Sequence, residues 1–125
     1  MIVGVQDVYY NVTDMARAVA FYRDLLGMRV IDSNEHWTSL ECFGARVGLH
    51  ASSGQPVPAV EHDKHGARHG ATLTLRSTDV AADASYLRRS GVNVLSESDQ
   101  SWGRLALFAD SEGNLLKLMQ PAEAR

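Results

Sequence analysis

The stretch "VTDMARAVAFYRDLLGMRVI", Val12 to Ile31, carries a complete helix signature between two strand-like flanks. Asp14 is placed to cap a helix N-terminus, because its carboxylate can accept a backbone N–H that the first turn leaves without a partner. Met15, Val19, Tyr22 and Leu26 then recur at three- and four-residue spacing, which puts them on one face of a helix. Gly27 follows where the left-handed cap position favours glycine, and "MRVI" resumes as a β-type run.

The same pattern is written again in "STDVAADASYLRRSGVNVL", Ser77 to Leu95, with Thr78-Asp79 over Thr13-Asp14. Val80, Ala84 and Leu87 form its apolar face, Gly91 closes it, and "VNVL" follows. A strand precedes each helix. In the first, Val8, Tyr10 and Val12 oppose Asp7, Tyr9 and Asn11; in the second, Leu73 and Leu75 oppose Thr72, Thr74 and Arg76. Three strands follow each helix: "RVID", "HWTSLECF" and "RVGLHA" in the first copy, "VNVLSE", "WGRLALFA" and "NLLKLMQ" in the second. Each half therefore reads β-α-β-β-β, and neither would bury its sheet alone. Between them "SSGQPVPAVEHDKHGARHG", rich in glycine, proline and polar residues, reads as a connecting loop. The expected organisation is a single domain over residues 1–125: module one over about 3–52, the loop over about 53–69 and module two over about 70–121.

With 45% hydrophobic and 22% charged residues in 125, the chain can bury one core. A formal net charge of -3 gives no general attraction to nucleic acid. No run reaches the length of a membrane span, and "MIVGVQDVYY" lacks the basic start and long apolar core of a signal peptide, so a cytoplasmic location is expected. Cys42 is the single cysteine, which excludes an internal disulfide, and its apolar strand context predicts a small buried hydrophobe.

These motifs resemble those of the vicinal oxygen chelate superfamily, which groups glyoxalase I, extradiol dioxygenases, fosfomycin-resistance enzymes and bleomycin-binding proteins. "VTDMARAVAFYRDLLGMRV" is close to the family's strand-helix signature. "WGRLALFADSEGNLLKL" is close to its closing hairpin, with Ser111 where a proline usually stands. The resemblance covers nearly the whole chain. It implies an α+β fold in which two βαβββ modules form a cup-shaped mixed sheet around a shared pocket, commonly completed in a homodimer. It does not select a reaction, because one fold hosts many functions.

The resemblance further implies where a divalent metal would be held: on the first and last strand of each module, usually by histidine or glutamine and by an acidic residue. In this chain those positions are Asp7, Gly48, Thr72 and Lys117. Glycine supplies no donor, threonine is a weak one and an ammonium repels a cation. The expectation from these residues is no metal and no cofactor; the alternative is a divalent metal held with help from Asp7 and His50, one pleat beyond Gly48. His62, His65 and His69 are expected as solvated loop histidines, one of which could fold over the cup as a lid.

The expected ligand-binding residues are Asp7, Tyr9, Trp37, His50, Thr72, Trp102, Arg104 and Lys117. Asp7 and Lys117 could form an ion pair or a charged anchor. Trp37 and Trp102 open the middle strand of their modules and suit flat ligands. Arg104, on the alternation face of Trp102, could pair with a carboxylate or phosphate. No nucleophile-base pair marks catalytic residues. The leading expectation is a metal-free binder of a small aromatic or charged organic molecule, resembling the bleomycin-binding proteins. The alternative is a divalent-metal-dependent lyase, isomerase or ring-cleaving dioxygenase resembling glyoxalase I or extradiol dioxygenases. The expected partners are a small-molecule ligand and a second copy of the chain, without nucleic acid or membrane.

Overall fold

A computed structural model describes residues 1–122. The chain falls into two compact units, Met1–Val57 and Pro58 onward, and each repeats the β-α-β-β-β order. The protein is an α+β fold with two similar modules.

In the first unit, strand β1 (Val8–Val12) leads into helix α1 (Met15–Ala20), followed by β2 (Arg29–Ser33), β3 (Trp37–Cys42) and β4 (Ala45–Ala51). The sheet order is β1-β4-β3-β2, with β1 parallel to β4 and the other pairs antiparallel. Asp14 caps α1 by accepting the Arg17 N–H at 3.1 Å. Helix α1 is shorter than its apolar spacing predicts, because Phe21–Leu25 continues as a π-helical stretch in which the Leu26 N–H reaches back to the Phe21 carbonyl. Gly27 then takes a φ of 76°, the left-handed conformation a glycine adopts without strain. Val12, Ala18, Val19, Tyr22, Leu40, Val47 and Leu49 fill the space between sheet and helix.

The second unit opens with a hairpin, β5 (His62–Asp63) and β6 (Gly66–Ala67), inside the segment that reads as a plain loop. Asp63 accepts the His65 N–H at 2.8 Å and so closes its turn. Then come β7 (Leu73–Arg76), α2 (Val80–Arg89), β8 (Val94–Gln100), β9 (Gly103–Ala109) and β10 (Leu115–Pro121), in sheet order β7-β10-β9-β8. Asp79 caps α2 through the Ala82 N–H at 3.1 Å, and Val80, Ala84 and Leu87 are its buried face.

Strand registers make the two modules directly comparable. Tyr9 pairs with Gly48 in the first sheet, and Thr74 pairs with Lys117 in the second. Counted from the capping aspartates, Tyr9 and Thr74 are equivalent, so Gly48 and Lys117 are equivalent too. Each inner strand, β4 and β10, thus carries one of these residues at its centre.

Candidate functional site

The first unit's face away from α1 is built from alternate residues of three strands. Side chains of Val47 and Leu49 go to the core, so Gly48 and His50 lie on the other face, beside Tyr9 and Asn11 of β1 and Trp37 and Ser39 of β3. There the rings of Tyr9, Trp37 and His50 form one cluster. Tyr9 meets Trp37 edge-on at 5.4 Å between centroids and His50 at 5.9 Å, while Trp37 and His50 are 6.3 Å apart. Edge-to-face packing of this kind is the favoured aromatic geometry.

Two further contacts hold the cluster. The Trp37 Nε1–H donates to Ser39 Oγ at 2.8 Å, and His50 Nδ1 lies 3.0 Å from Asn11 Oδ1. Gly48 makes room for the indole: a Cβ there would overlap Trp37 Cζ2 and Cη2 and come within 3.0 Å of the Tyr9 Cβ. Tyr9 is 54% exposed and His50 is exposed, so the cluster is open to an incoming molecule. Sequence reasoning missed Asn11 and Ser39 as supports. Their signal was the alternation that puts Asn11 with Tyr9 and Ser39 with Trp37. Asp7, half-buried, precedes β1 in this unit.

In the second unit Lys117 lies between Thr74 of β7 and Leu107 of β9, with Leu116 and Leu118 on the opposite side. Gln120, which also alternates to that opposite side, accepts the Val80 N–H of α2 at 3.0 Å. Lys117 is therefore on the helix-free face. Its Nζ is 6.0 Å from the centre of the Trp102 indole, and the His65 ring stacks against the same indole at 6.5 Å and 26°. Strand β6 packs against β10, and Thr72 anchors it by accepting the Ala67 N–H at 3.0 Å. His65, Trp102, Thr72 and Lys117 are thus gathered in one unit. His69 reaches Glu61 instead and His62 the Val60 carbonyl, so the three loop histidines do not converge.

Arg104 differs from its expected place. It pairs with Gln120 across the strands and bonds Glu97, which also accepts from Arg88 of α2 at 3.0 Å. Arg104 therefore points to the helix side, away from Lys117. The reason is that Trp102 sits in the turn before β9, so strand alternation does not carry from it to Arg104. Burial of Glu97 opposes its charge, but the bonds from Arg104 and Arg88 outweigh this and hold its carboxyl below the usual range. Burial, then the neighbouring Glu41 carboxylate, push the Cys42 thiol up, which leaves little nucleophilic thiolate.

The geometry defines an α+β protein of paired βαβββ modules with aromatic and charged residues on helix-free sheet faces. The chain belongs to the Glyoxalase/Bleomycin resistance protein/Dioxygenase superfamily, whose family profile matches residues 4–118. It is 26% identical over 120 residues to the metallothiol transferase FosB of Staphylococcus haemolyticus, covering 94% of this chain and 84% of FosB. Among solved structures, TnmS3, an antibiotic-binding protein from Streptomyces sp. CB03234, is similar with a TM-score of 0.71 and 29% identity, over 97% of this chain and 98% of TnmS3. The fosfomycin resistance protein FosX of Listeria monocytogenes shares the fold at a TM-score of 0.78 and 18% identity, over 100% and 99% of the two chains.

These relatives overturn the expectation of no cofactor. FosB, similar over nearly the whole chain, is by name a metallothiol transferase, so a metal belongs to the chemistry of this chain's relatives. The four positions implied for a metal nonetheless fit one poorly in this chain. The space at Gly48 is filled by the Trp37 indole, Thr72 Oγ1 already accepts a backbone N–H, and Lys117 carries an ammonium. Asp7 and His50 are the remaining usual donors that the sequence reading named, both in the first unit. Among the described residues no three His, Cys, Asp or Glu side chains gather into a group that could hold a metal.

Proposed function

We propose that this protein captures a small, flat organic molecule of the antibiotic kind on the helix-free face of its first unit. The observation that carries this reading is the open Tyr9–Trp37–His50 cluster, seated over Gly48 and pinned by Ser39. Three rings with exposed surface offer apolar contact, while the His50 ring adds a polar edge. The similarity to the antibiotic-binding TnmS3 supports it.

The test is calorimetric titration of the protein with a panel of antibiotic classes. Saturable binding of one class, weakened about tenfold by Tyr9→Ala as expected for the loss of one aromatic contact, supports the reading. Absence of binding across the panel, with and without added divalent metal, overturns it.

A second reading, transfer of a thiol onto a small electrophilic molecule, is favoured by the similarity to FosB, by name a metallothiol transferase. Elemental analysis of protein purified without chelators, together with an assay of thiol consumption in the presence of the panel, separates it from capture alone. Stoichiometric metal with thiol consumption supports transfer. We also read the protein as a homodimer, since Met1, Ile2, Val3, Val5 and Phe43 leave apolar surface exposed; sedimentation velocity tests this.

A further inference from the structure

We propose that the second unit carries an oxyanion subsite on its helix-free face. Lys117 Nζ takes the carboxylate or phosphonate of a flat ligand, the ligand's ring rests on the Trp102 indole, and hairpin β5–β6 straps over it. This rests on the ligand-binding reading above and adds the charge of the ligand.

The acids of strand β8 lie on the side of the sheet away from Lys117. Glu97 lies across from Ala106 and Asp99 across from Arg104, which places both on the side of α2, where Glu97 is held by Arg88 and Arg104. Lys117 is on the other side, at the centre of an inner strand, next to the fully buried Leu107. It is half-buried, and among the described residues no carboxylate of its own unit comes within 4.0 Å. Trp102 is its aromatic neighbour, with the ring centre at 6.0 Å. A cation partly withdrawn from water beside apolar groups is stabilised by an opposite charge, and an indole face compensates it only in part. An oxyanion supplies what the ring lacks.

The second observation is that the Trp102 indole already accepts a planar heterocycle. It is 50% exposed, and the His65 ring lies nearly parallel to it at 26°. His65 is at the turn of a two-residue-per-strand hairpin that is closed by the Arg68–Glu61 backbone bond and tied to the unit through the Ala67–Thr72 bond and the packing of β6 on β10. A ligand ring takes the place of the imidazole on the indole, and the hairpin reseats over it. The ligand class is thus a ring with an oxyanion one or two bonds away, so that both groups reach their partners.

The test uses the full chain and its two tryptophans, whose indole N–H proton resonances are told apart by Trp102→Phe. The probes are benzoate, phenylphosphonate, the neutral benzamide and inorganic phosphate. The expected result is that benzoate and phenylphosphonate shift the Trp102 resonance and bind about tenfold or more tightly than benzamide, while inorganic phosphate leaves it in place. Lys117→Met, which keeps the stem, should bring the charged and neutral probes within about twofold; Lys117→Arg should keep the preference. Raising the salt from about 0.05 M to about 0.5 M should weaken benzoate and leave benzamide unchanged, which provides a test in the native chain should Lys117→Met not fold. Equal affinities for benzoate and benzamide, a preference that survives in Lys117→Met, or salt-independent benzoate binding overturns the subsite. Probes that move only the Trp37 resonance overturn the subsite while leaving capture by the first unit standing.

Discussion

The indole of Trp37 lies where a side chain at residue 48 would have to go. Gly48 is the residue whose counterpart in the second module is Lys117, so the same register position is a seat for a ring in one unit and a cation in the other. The glycine is needed for space, since no unusual φ is required of it.

Gly48→Ala should therefore force Trp37 off its seat and break the bond to Ser39. We expect a loss of about 1–3 kcal/mol in urea unfolding, the usual cost of overpacking, together with a shift in tryptophan emission. Unchanged emission and stability would show that the ring has other room.

Glu97 predicts a pH dependence. Because its folded carboxyl is held below the ordinary glutamate value of 4.5, the stability it adds is fully present above that value and is lost as pH falls through the lower, folded one. Glu97→Gln should cost about 1–2 kcal/mol at neutral pH, discounted for partial exposure. The gap between variant and parent should narrow as the medium is acidified below 4.5, and parallel stability curves would refute the assignment.

Ser98 tests the opposite case. Its Oγ, like that of Ser96, is buried without a hydrogen-bond partner among the described residues, across the strand from Leu105. Exchanging such a hydroxyl for hydrogen removes a desolvation cost and no bond, so Ser98→Ala should be neutral or stabilise by up to about 1 kcal/mol in thermal unfolding. A clear loss would reveal a partner for the hydroxyl.

The two capping aspartates should behave alike. Asp14→Ala and Asp79→Ala each remove an acceptor for a first-turn N–H and should each cost about 1 kcal/mol, largely restored by asparagine. Denaturant titration of the four variants measures it, and a failure of asparagine to rescue would point to a role beyond capping.

What the chain's letters determined was local or periodic. The capping aspartates, closing glycines and doubled β-α-β-β-β order could be read because a cap involves residues three apart and strand alternation needs only neighbours. The helix-free face of β1 followed from the same alternation, which put Tyr9 opposite Val12's side. What only the tertiary structure decided were contacts between strands far apart in the chain. The seating of Trp37 over Gly48 needs the β3–β4 register, and the placing of Lys117 near Trp102 and His65 needs β10, the turn before β9 and the hairpin together. Arg104 went to the helix side because a turn, and not a strand, separates it from Trp102. A residue's face is a local property, but its neighbours on that face are set by pairing that hydrogen bonds along distant segments impose.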